Sequence, residues 1–125
     1  MGMPVAFFEV ASEDHERAQA FYAALFDWQV SADPEMGGYG LVDTGAGGAI
    51  GGGIGGGIGG GIGPAEGPGD AGVKIYVRVP DLQAALARAE ELGGKALVPP
   101  TDLPGDYGRF AVLADPDGNP VGLWA

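Results

Sequence analysis

Two segments of extended hydrophobic pattern, each followed by an amphipathic one, divide this chain. Residues 5–10, VAFFEV, predict a strand with Ala6, Phe8 and Val10 on one face and Val5, Phe7 and Glu9 on the other. The next segment opens on Ser12 or Asp14 as a helix cap and has acids in its first turn. It then sets Ala18, Phe21, Tyr22, Leu25 and Phe26 at spacings of three and four, an apolar stripe that predicts a helix lying on a sheet. Residues 28–30 and 39–43 predict short antiparallel strands around turns at Asp33-Pro34 and Gly37-Gly38. The second half repeats the theme. In residues 73–79, VKIYVRV, Val73, Ile75, Val77 and Val79 point one way and Lys74, Tyr76 and Arg78 the other. Asp81 then starts a helix with Leu82, Ala85, Leu86 and Ala89 on one stripe, closed by Gly93-Gly94. Residues 95–98 predict a strand, 99–108 a loop that its prolines keep extended, and RFAVLA and NPVGLWA the last two strands. Each half therefore predicts β-α-β-β-β, an α+β chain.

Between the halves stands GAGGAIGGGIGGGIGGGIG, residues 45–63, with 13 of the 26 glycines. Gly51 to Gly56 fit the dinucleotide pattern G-x-G-x-x-G, but any polyglycine run does, and no capped helix follows. Four isoleucines among so many glycines supply too little transfer energy for a membrane span. A soluble helix would lose roughly 0.8 to 1 kcal/mol per glycine. A strand remains: Ile50, Ile54, Ile58 and Ile62 fall on one face, and glycines leave the other bare. The expectation is a strand over residues 49–56 followed by a mobile loop. The bare face implies either close backbone approach or an open cavity wall.

A length of 125 residues fits one domain built of two modules, 1–63 and 73–125, joined by a Pro- and Gly-rich connector, 64–72. The absence of cysteine removes disulfides and zinc-thiolate sites and agrees with a cytoplasmic location. The first residues reach acids after a few apolar positions and have no basic region, unlike a signal peptide. Seventeen acids against six bases give a net charge of -11. Nucleic acid and anionic membranes are therefore poor partners, and on charge alone a cationic ligand is the easier one.

The segments FFEV with ERAQAFYAALFDW, VKIYVRVPDLQAALARAEELGGKALVPP, and YGRFAVLADPDGNPVGLWA together resemble the vicinal oxygen chelate superfamily of glyoxalases, extradiol dioxygenases and bleomycin-resistance proteins. The resemblance covers nearly the whole chain. It implies two βαβββ modules in an eight-stranded half-open barrel with helices outside, and a homodimer. It also implies, in metal-bearing members, one ligand on the first and last strand of each module. The matching positions here are Val5 or Phe7, a residue of the glycine strand, Lys74 and Gly122, none a metal donor, so no metal or other cofactor is expected. The function expected is metal-free binding or sequestration of a small molecule, with a metal-dependent lyase, isomerase or dioxygenase as the alternative.

Other chemistry is sparse. His15 is the single histidine, expected on the surface of the first helix. Asp115, Asp117 and Asn119 resemble a calcium loop, but the glycine comes too early and no bidentate Glu follows, so a hairpin turn is expected. Ser12 and Ser31 have no base nearby in sequence. Strand parity instead selects Phe7, Glu9, Lys74, Tyr76, Arg78 and Trp124 as ligand-facing, for a ligand of cationic or aromatic character. Two readings of the charges stay open: Glu9, Lys74 and Arg78 as an internal network, or Lys74 and Arg78 as a solvated sheet face.

Overall fold

The computed structural model describes residues 2–45, 59–65, 72–105 and 107–125. Among them are eight strands and two α-helices, in the order β1 (Val5–Ser12), α1 (His15–Phe26), β2 (Gln29–Asp33), β3 (Tyr39–Asp43), β4 (Gly59–Pro64), β5 (Gly72–Arg78), α2 (Leu82–Glu91), β6 (Lys95–Asp102), β7 (Arg109–Ala114) and β8 (Pro120–Trp124). This is βαβββ twice, the α+β pattern that the periodicity predicts. Two compact units result, residues 7–73 and residues 1–6 with 74–125.

In the unit of residues 7–73 the strand order is β2-β3-β4-β1, with β1 and β4 parallel and the other neighbours antiparallel. The strand expected over residues 49–56 lies outside the described residues. The part expected as a mobile loop is corrected: from Gly59 to Pro64 it is the strand β4. Ordering glycine is entropically costly, and neighbours on both sides offset that cost. Phe8, Glu9 and Val10 pair with Gly60, Gly61 and Ile62, while Leu41 and Gly40 pair with Gly61 and Ile62 from the other side. Aromatic rings from these neighbours fill the space that β4 leaves. Phe8 lies over Gly60 on the helix side, Tyr39 lies over Gly61 and Gly63 on the opposite side, and a Cβ at any of the three would overlap a ring. Neither alternative for the bare face describes this part of the strand: it is covered by a side-chain ring, Tyr39, and not by backbone.

The core of this unit is Val10, Val42 and Ile62, flanked by Phe8, Ala18, Tyr22, Trp28 and Val30. The α1 stripe needs correction. Its half-buried positions are His15, Ala18, Gln19, Tyr22 and Ala23, whereas Phe21 and Leu25 are 57% and 59% exposed and Phe26 is exposed too. The cause is Gln19, whose Nε2 donates to the Gly38 carbonyl at 3.0 Å and the Ile62 carbonyl at 2.8 Å. An amide with both donors satisfied buries at little cost and fixes the rotation of the helix. Small neighbours permit it: a Cβ on Gly40 would stand 2.7 Å from Val30 Cγ1 and 2.8 Å from Gln19 Nε2. His15, expected on the surface, is instead half-buried beside Gly38. Asp14 caps α1, accepting from Arg17 N at 3.2 Å.

The second unit repeats the order as β5-β8-β7-β6, again with its first pair parallel. Val79, Leu82, Leu86, Ala111 and Leu123 form its core, with Val77 and Ala85 against it. Val77 and Val79 thus face α2 as parity predicts, but Ile75 and Val73 are exposed. Ten helical residues span about 15 Å, while the seven of β5 span about 23 Å, so α2 leaves one end of the strand uncovered. β6 also runs beyond its expected end at residue 98, through Pro99 and Pro100 to Asp102. Its ladder with β7 slips between Val98 and Thr101, where the two prolines supply no N–H.

The β7–β8 connection is the expected turn. The Asp115 carboxylate accepts from Asn119 Nδ2 at 3.0 Å and from the backbone N of Asn119 and Asp117 at 2.9 Å each. The Asn119 side chain first, then the backbone N–H groups, hold the Asp115 carboxyl below its ordinary value. A carboxyl lowered on folding stabilises above its unfolded value, and that stabilisation is lost as pH falls through the folded value. Asp115→Ala is therefore expected to lower Tm at neutral pH, with the gap to the parent closing below about pH 4. A gap that persists unchanged down to about pH 2 in thermal melts would contradict this.

Candidate functional site

In each unit one sheet face packs on the helix and the other carries the residues singled out by parity. On the first unit's open face Phe7 and Glu9 are half-buried. Tyr39 joins them from β3, its ring seated on the glycines of β4 and its hydroxyl donating to Glu9 Oε2 at 2.8 Å. Sequence reasoning missed Tyr39. The available signal was parity: Tyr39 and Leu41 share a face, and Leu41 pairs with Gly61. A strand without side chains needs a ring from its neighbour.

On the second unit's sheet face away from α2, Lys74 and Tyr76 are buried, Trp124 is half-buried and Arg78 is exposed. The Tyr76 ring lies over its register partner Gly122, where a Cβ would overlap it. Lys74 Nζ stands 5.8 Å from the centre of the Tyr76 ring, and the Arg78 guanidinium carbon 5.2 Å from that of Trp124. Such contacts contribute about 0.5 to 1 kcal/mol where exposed and more where dry. The indole of Trp124 is fixed by its Nε1–H, which donates to the Tyr107 carbonyl at 2.7 Å. No sequence signal marked Tyr107. Of the two open readings, the solvated face describes Arg78 but not Lys74, which is 9% exposed. Tyr39 is one partner of Glu9, and it lies in the same unit. A separate shallow groove between α2 and β6 is lined by Leu86, Glu90, Ala96, Leu97, Pro99 and Pro100. It contains none of the parity-selected residues.

Among the described residues, the positions that match the metal-ligand pattern do not fit a metal ion. Gly61 lies beneath Tyr39 and Gly122 beneath Tyr76, so rings occupy the space a donor side chain would use. Lys74 is a cation stacked toward an aromatic face. Among the described residues no three His, Cys, Asp or Glu side chains converge. Nor, among the described residues, is any helix long and apolar enough to cross a membrane.

The model of the glyoxalase-like domain family matches residues 7–124. A protein of Mycobacterium tuberculosis described as a candidate glyoxylase, CFP32, is 28% identical over 118 residues, 93% of this chain and 43% of that protein. The anthracycline biosynthesis protein DnrV of Streptomyces peucetius is 32% identical over 127 residues, 95% of this chain and 46% of that protein. This chain thus spans less than half the length of the curated relatives it matches. Among solved structures, a glyoxalase/bleomycin resistance protein/dioxygenase superfamily member from Vibrio splendidus superposes with a TM-score of 0.60 at 15% identity, covering 98% of this chain and 97% of that one. Methylmalonyl-CoA epimerase of Streptomyces coelicolor, bound to 2-nitronate-propionyl-CoA, superposes with a TM-score of 0.59 at 18% identity, covering 97% of this chain and 92% of that one. At these identities the structures speak for the fold, and the family match over nearly all of the sequence speaks for descent. The chain belongs to the glyoxalase-like domain family, in line with the resemblance carried by its sequence.

Proposed function

We propose that this chain binds or sequesters a small molecule without a resident metal ion. The observation that carries the reading is the substitution of rings for donors: Tyr39 over Gly61 and Tyr76 over Gly122, each beside a charged side chain, Glu9 or Lys74. Rings with a few charges suit a ligand held by stacking and one or two polar contacts. A thermal-shift screen against aromatic and charged small molecules is expected to give ligands that raise Tm. Trp124→Phe and Tyr39→Phe should weaken those shifts while leaving the unliganded protein folded. Responses identical in parent and variants, or no ligand in a broad panel, would overturn the reading.

A second reading, an enzyme of the lyase, isomerase or dioxygenase type, draws support from the relative described as a candidate glyoxylase and from the epimerase of like fold. Turnover of a methylglyoxal-glutathione adduct, assayed with and without added divalent cations, separates the two. Turnover at a rate well above background would replace the binding reading.

A further inference from the structure

We propose that Arg78 and Trp124 form a receptor for an anionic group, a carboxylate or a phosphate, carried by the ligand. This rests on the small-molecule binding reading above. The chain has only six basic residues against 17 acids, so an arginine on its surface has many carboxylates to choose from. Two arginines have chosen: Arg109 Nε meets Asp102 Oδ1 at 2.8 Å, and Arg88 meets Glu91 at 3.8 Å. Arg78 is exposed, yet among the described residues no carboxylate meets its guanidinium, which lies over the Trp124 indole. A guanidinium held over a ring by its charge makes no hydrogen bond there, so its N–H edge stays available to a planar anion.

Both halves of the pair are held from the backbone. Arg78 and Trp124 are register partners in the parallel β5–β8 ladder. The Arg78 N–H donates to the Pro4 carbonyl at 2.9 Å, and the Val79 N–H donates to the Trp124 carbonyl at 3.0 Å. The indole is tied to the Tyr107 carbonyl, and the turn that presents it is closed by Gly108. At Gly108 φ is +88°, and a Cβ would stand 2.5 Å from the Ala125 carbonyl oxygen and 3.3 Å from Trp124 Nε1. Reciprocal bonds between Arg109 and Ala125, 2.9 and 3.0 Å, lock that turn onto the chain end. With the strand backbone and the indole held in this way, the Arg78 side chain is the main part left to order on binding, which favours affinity. The net charge of -11 favours cations at long range, but a bidentate contact acts at a few ångströms and sets the local preference.

The test is titration of the full chain with benzoate, phenyl phosphate and the neutral isostere benzamide, followed at the Trp124 indole N–H by NMR. Trp124→Phe assigns that signal. Benzoate or phenyl phosphate is expected to shift it saturably, benzamide at the same concentrations is not, and the stronger of the two anions identifies the group. Arg78→Gln should weaken anion binding at least about tenfold, and Arg78→Lys by an intermediate factor, because an ammonium keeps charge without the fork. An unchanged amide spectrum elsewhere verifies folding of each variant. Equal response to benzamide and benzoate, or an unchanged titration in Arg78→Gln, overturns the anion receptor while leaving small-molecule binding in place. No response to any of the three also overturns it, and the broad thermal-shift panel then decides the binding reading by itself.

Discussion

Truncating Ile62 to alanine is expected to destabilise the first unit by about 2 to 5 kcal/mol, the range for removing a large side chain from a closed core. Ile62 has 0% exposure and is the largest fully buried side chain among the described residues. Its site cannot collapse easily. Gly61 and Gly63 flank it in β4 and have nothing to move into a void, and Val10 and Val42 are held by the ladders on either side. Urea unfolding followed by far-UV circular dichroism measures the loss. A change below about 1 kcal/mol would mean that the core of this unit does not depend on β4.

Gly61→Ala should be costly for the opposite reason. A single methyl at that position enters the Tyr39 ring, and overpacking of this kind costs about 1 to 3 kcal/mol or more. The conflict is with one side chain, so it should be relieved by removing that side chain. In a Tyr39→Ala background the added cost of Gly61→Ala should fall to a small fraction of its value in the parent. The double-mutant cycle should then give a coupling of about 0.5 to 3 kcal/mol. Additive losses would show that the ring does not rest on the strand. Tyr39→Phe separates the two roles of the residue, since it keeps the ring on the glycines and removes only the hydrogen bond to Glu9.

The sequence was most legible where one period dominates. Alternation in β1 and β5 assigned Phe8, Val10, Val77 and Val79 to the cores and Lys74 and Tyr76 to the other face, and the Leu82, Leu86 stripe placed α2 on its sheet. The Asp115 turn was readable because a short polar side chain before a glycine satisfies its own backbone. β4 was not readable. Its isoleucines recur every four residues, so each offers the same local pattern, and only pairing with β1, some fifty positions earlier, selects Ile62 as the partner of Val10. The rotation of α1 was misjudged because hydrophobicity ranks Phe21 and Leu25 above Gln19. Two carbonyls waiting on the sheet reverse that order, and no local pattern announces them. For the site, the parity list captured residues that alternate along a strand. It was applied only to the first and last strands of the modules and so left out Tyr39 on β3, and it could not supply the Tyr107 carbonyl, a backbone group in a loop.

The prolines of β6 have a consequence for the chain in crowded solution. β6 is the terminal strand of its sheet, the kind of edge onto which a foreign strand can polymerise. Successive N–H groups of a strand point to opposite sides, so Pro99 and Pro100 together remove one donor from the inner ladder and one from the outer row. The inner loss coincides with the slip in register; the outer one leaves a gap in the template that an incoming chain would have to match. With Lys95 and Asp102 at its two ends, this edge is poorly suited to seeding aggregates.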